Sequence, residues 1–134
     1  MQAFDGFISA VAEEFHIRFH KDDKGNYTTK IEFEGNRSKE LLITLTNDES
    51  GDRIINYYSI IGVLQKDLAE LYKFCLEQNA SLDYGAFALM NNMLILRNTS
   101  LLRDCDPHRF VKVLLYIAAK ADELEELFAK NSNK

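Results

Sequence analysis

Three stretches with the period of a β-strand follow one another with almost nothing between them, and this spacing constrains the fold more than any other feature. Tyr27 to Phe33 puts Tyr27, Thr29, Ile31 and Phe33 on one face. Leu41 to Thr46 puts Leu41, Ile43 and Leu45 on one side, and Ile54 to Ile60 forms a third run. The connections, Glu34-Gly35-Asn36-Arg37 and Asn47 to Asp52, are short polar turns. Parallel pairing needs crossovers of about a dozen residues or more, so these short connections favour an antiparallel meander.

Helices flank the meander. Phe4, Phe7, Ile8, Val11 and Phe15 make one helical stripe, after which His16-Ile17-Arg18-Phe19-His20 alternates in a short strand-like pattern. Gly62 breaks the third strand, and a second helix is expected over Leu64 to Gln78. Leu64, Leu68, Leu71 and Cys75 form its stripe, Tyr72 and Leu76 widen it, and Asn79 ends it. Tyr84 to Met90 and Met93 to Leu96 then read as a hairpin turned by Asn91-Asn92, since Asn tolerates positive φ. Asp106 can cap the last helix and Pro107 suits its first position. Phe110, Leu114, Ile117, Ala121, Leu124 and Phe128 repeat at steps of four and three, with Val111, Leu115 and Ala118 as a second apolar flank. The tail 131–134 should fray. The order α-β-β-β-α-β-β-α predicts an α+β domain: one antiparallel five-stranded sheet with three helices mainly on one face.

Composition narrows the function. At 134 residues the chain makes a single domain, and a net charge of −5 argues against a surface built for nucleic acid. Its longest nearly apolar stretch, Val113 to Ala119, is too short to span a bilayer, and the first residues lack the pattern of a secretory signal. Cys75 and Cys105 are thirty positions apart in no metal or redox spacing, which points to free thiols in a reducing cytoplasm.

Chemistry leaves few marks. On a strand, His16 and His20 would lie about 13 Å apart, too far to share a metal. His108, with Cys105 three residues before it and Asp106 between, is the one group that suggests a nucleophilic site. A capping Asp and a packed Cys explain the same residues without catalysis. The acidic turns at Asp22-Asp23 and Asp48 to Asp52 lack the ligand spacing of a calcium loop. No glycine-rich phosphate loop or Gly-x-Ser-x-Gly elbow is present, so no cofactor is expected. Tyr57 and Tyr58 would face opposite sides of their strand with no basic cluster around them. Broad apolar stripes on so small a chain favour a second copy as cover, and sheet edges can accept an added strand.

The second half resembles the type III secretion chaperone-like superfamily, which includes YbjN-like bacterial proteins. The match lies in LYKFCLEQNASLDYGAFALMNNMLILRNTSLL and RFVKVLLYIAAKADELEELF, with Tyr84 to Leu89 before a hairpin and Ala121-Asp122 and Glu125 on the final helix. Asn36-Arg37-Ser38 and Tyr58 to Gly62 resemble the first half of YbjN-like members. The resemblance implies a non-enzymatic cytoplasmic homodimer that binds another protein or peptide and holds it extended, or else a YbjN-like regulator. The surfaces it suggests are the strand 54–60, with Ile54, Tyr57 and Tyr58, and the flank of the last helix, with Val111, Leu115 and Ala118.

Overall fold

A computed structural model describes residues 2–66 and 68–132. Helix α1 (Gln2–Phe15) precedes strands β1 (His20–Lys21), β2 (Tyr27–Phe33), β3 (Arg37–Asn47) and β4 (Arg53–Val63). Helix α2 (Ala69–Asn79), strands β5 (Ala86–Met90) and β6 (Met93–Leu101), a single 3₁₀ turn (Leu102–Asp104) and helix α3 (Pro107–Ser132) complete the chain. The fold is α+β with three helices and one antiparallel sheet, in the order β1-β2-β3-β4-β6-β5.

The sheet has six strands rather than the expected five. The extra one is β1, which pairs His20 with Thr28 and Lys21 with Tyr27. His16 ends α1 in a left-handed conformation (φ 56°), and the alternation after it arises because Ile17 and Phe19 pack against the core. Three further differences share a physical cause: polar or flexible residues continue a strand where no apolar signal marks it. Strand β3 starts at Arg37, with Lys39 buried on its inner side. Gly62 does not end β4 but sits at a bulge, where the register moves from Ile60↔Ile95 to Gly62↔Leu94. Strand β6 runs on to Leu101 because its inward polar residues have a partner: Asn98 Nδ2 donates to Tyr57 Oη at 2.7 Å, and Ser100 Oγ lies 3.2 Å from the same oxygen.

Helix α2 is shorter than expected. Leu64 still follows the sheet, its N–H donating to Asn92 O at 2.7 Å, so the helix starts only at Ala69. Leu71 and Cys75 turn inward, whereas Leu76 faces solvent. Asn79 ends the helix as expected, and its side-chain Oδ1 accepts the Phe87 N–H at 2.7 Å. Strand β5 begins at Ala86 instead of Tyr84, because Gly85 before it is held at φ +76°. The hairpin turn at Asn91-Asn92 forms as expected, with Met90 opposite Met93 and Asn91 at φ 58°. At the start of α3, Asp106 Oδ2 accepts the Arg109 N–H at 3.1 Å. That helix continues through Ser132, past the point where fraying was expected; Asn133 and Lys134 lie outside the described residues.

One core joins the helices to the inner face of the sheet. Phe4, Ile8 and Val11 of α1, Cys75 of α2 and Phe110, Leu114, Ile117, Ala121 and Leu124 of α3 pack on Leu41, Ile43, Ile55, Tyr57, Ile61, Leu94 and Leu96. Phe110 is the joint of this core, with the Phe7 ring 5.3 Å away on α1 and the Tyr57 ring 5.1 Å away on β4. Ion pairs fasten the far half of α3 to β3. Arg37 reaches Asp122 at 2.9 Å and Glu126 at 3.2 Å, while the ammonium of buried Lys39 meets Glu125. A buried lysine without such a carboxylate would be costly, which explains why a charged residue is tolerated there.

Candidate functional site

Each sequence-derived surface residue has a definite place. Tyr57, Val111 and Ala118 are buried in the core and offer nothing to a partner. The reason is that α3 is covered on two sides, by the sheet beneath and by α1 alongside, so its second flank is largely internal. Leu115 alone of that flank is exposed, at 43%. Strand β4 lies between β3 and β6, so the run 54–60 has no free edge to accept an added strand. Ile54 and Tyr58 are half-buried on the sheet face turned away from the helices.

The residues considered for catalysis do not converge. His108 Nε2 lies 3.0 Å from Glu14 Oε1, and its ring stands edge-on to Phe15 at 5.0 Å. Asp106 is used as the helix cap. Burial pushes the Cys105 thiol up from its ordinary range, and a hydrogen bond with Ser100 opposes this only in part. Burial likewise raises Cys75. Thiolate, not thiol, reacts with alkylating agents. At pH 8 both cysteines of the folded chain should therefore react with iodoacetamide at least ~10-fold more slowly than in urea, read by mass spectrometry over time. Rapid labelling of Cys105 in the folded chain would contradict this assignment. No cluster of three or more metal-ligating side chains occurs among the described residues. No helix among them is long and apolar enough to cross a membrane.

An apolar cleft lies where no single stretch of sequence marks it. Helix α2 and the last turns of α3 stand apart over the end of β4 and the start of β6, leaving a cleft of about 660 Å³. Ile61 and Leu94 form its floor, and Leu71, Phe74, Leu127 and Phe128 its walls. Phe74 and Phe128 meet edge to face at 6.3 Å. The rim is apolar and open to water: Val63 is 55% exposed, Leu68 39% and Leu127 42%. Only Glu70 and Glu125 bring charge to the lining among the described residues, and both are acidic.

Leu68 and Leu71 belonged to the expected stripe of α2, so half of the cleft was visible as excess apolar surface. Leu127 was not, because it falls off the four-and-three repeat of α3 and its neighbours Glu125 and Glu126 make that face look solvated. No protein-family model and no curated protein matches the chain.

Proposed function

We propose that the chain is a non-enzymatic protein-binding domain that holds a partner polypeptide in extended form, the role implied by its resemblance to type III secretion chaperones. The observation that supports this reading is the cleft between α2 and α3, with three large apolar side chains exposed around one apolar trough. Exposed Val, Leu and Leu beside a trough make a contiguous patch, which costs solubility unless something covers it. An extended segment presents alternate side chains to one side, and two or three leucines in that register fill a trough of this size. Glu70 on the lining favours a segment with Lys or Arg beside its apolar residues, Glu125 being already paired with Lys39.

The test is direct binding of defined peptides, followed by fluorescence anisotropy. Three probes share a core of alternating leucine and serine and carry lysine, glutamine or glutamate at both ends. The lysine-ended peptide should bind with Kd of about 10–100 µM and the glutamate-ended one at least ~10-fold more weakly. Leu68→Lys with Leu127→Lys changes only exposed rim positions, so the fold survives, and binding should fall at least ~10-fold. Absence of binding by every probe at ~1 mM, or binding indifferent to the rim substitutions, overturns the reading.

A further inference from the structure

The two walls of the cleft are fastened very differently. Helix α3 packs on the sheet through Phe110, Leu114, Ile117, Ala121 and Leu124, all buried. Its last turns are pinned to β3 by the Arg37–Asp122 and Lys39–Glu125 ion pairs. Helix α2 buries only Cys75, and its chief neighbour is β5, the outermost strand of the sheet. Leu76 on the same helix stands in solvent. At the start of α2 the N-cap position is held by Leu68, whose side chain offers no acceptor to the free N–H groups of the first turn. The other end is moored: Asn79 Oδ1 accepts the Phe87 N–H at 2.7 Å, and the Asp83 N–H donates to Tyr116 Oη at 3.0 Å.

With 11 residues, α2 is too short to persist as a helix in water by itself, where ~12–15 residues are already marginal. Release from β5 therefore costs it its internal hydrogen bonds as well. Segments with few buried apolar contacts open at the low end of a protein's stability range, without the rest unfolding.

We infer that α2 is the moving wall of the cleft. From its mooring at Asn79 it undocks and unwinds as a unit while the sheet and α3 stay folded, and an occupant of the cleft holds it down. Leu71 and Phe74 reach the cleft from α2, and Leu127 and Phe128 from α3. A side chain seated between them touches both walls and loses one of them when α2 leaves. Binding to the docked form alone shifts the opening equilibrium by mass action. Only the occupant's part rests on the protein-binding role proposed above; the helix opens whether or not anything binds.

Amide hydrogen exchange of the full chain at pH 7, read by mass spectrometry, is the test. Relative to their intrinsic rates, the amides of 73–79 should exchange at least ~100-fold faster than those of 114–124. Leu68→Asp supplies the missing cap at a residue whose backbone is already extended (φ −128°, ψ 99°). It should slow exchange in α2 about 5-fold and leave α3 unchanged. The lysine-ended peptide, at ten times its Kd, should slow α2 of the wild-type chain by ~10-fold. Equal protection of α2 and α3 overturns the inference. So does a Leu68→Asp variant that slows both helices alike or neither. A peptide that binds by anisotropy yet leaves α2 exchange unchanged overturns the coupling of opening to occupancy. If no peptide binds, the protein-binding role falls with that coupling, while the first two measurements still decide whether α2 opens.

Discussion

Gly85→Val should destabilise the fold by about 4 kcal/mol, enough to leave a large unfolded population at 37 °C. Gly85 sits at φ +76° between α3 and β6. A Cβ there would lie 2.6 Å from Ile117 Cδ1 and 2.8 Å from the carbonyl oxygen of Arg97. The isoleucine tip can swing aside, but the carbonyl is part of the β5–β6 ladder and cannot. The left-handed backbone alone costs an L-residue about 1–2 kcal/mol, more when it is β-branched. Overlap with backbone and core adds about 1–3 kcal/mol. Gly51→Ala isolates the backbone share, because Gly51 has a similar φ of +89° with nothing within 4 Å. Urea melts should show that control losing about 1 kcal/mol. Equal losses for the two substitutions would mean that the close approach at Gly85 is not real.

Phe110→Ala should cost about 3–5 kcal/mol. The ring is buried where α1, α3 and β4 meet, and its edge-to-face contacts with Phe7 and Tyr57 disappear together. Those two neighbours belong to separate elements, α1 and β4, and cannot both close on the space left behind. The same truncation one and a half turns later, Leu115→Ala, should change stability by less than ~0.5 kcal/mol because that side chain is exposed. Comparable urea midpoints for the two variants would show that α3 faces the sheet differently from the packing described.

The comparison of these two leucine-and-phenylalanine sites shows what sequence could reveal. The main stripe of α3 was legible because an apolar residue every three or four positions has one physical explanation. Its second flank was equally apolar, yet Val111 and Ala118 turn inward and Leu115 outward; pattern alone does not say that α1 lies along that side. Strands were legible where alternation is apolar and hidden where an inward residue is polar. Lys39 needs Glu125 and Asn98 needs Tyr57, and both partners are more than forty residues away. The cleft was legible by halves for the same reason. Its walls come from helices separated by the whole β5–β6 hairpin, and no local period records how far apart they stand.

The hydrogen bond from Phe87 to Asn79 has a consequence for how the molecule behaves at high concentration. Phe87 points its N–H away from β6, toward the rim where another ribbon could attach, and the asparagine amide occupies that donor. At the opposite rim the outermost strand has just two residues, His20 and Lys21. The asparagine thus blocks one position of the β5 rim, and β1 covers only Tyr27 and Thr28 of β2, so the template left to an added ribbon at the far rim is the short run 29–33.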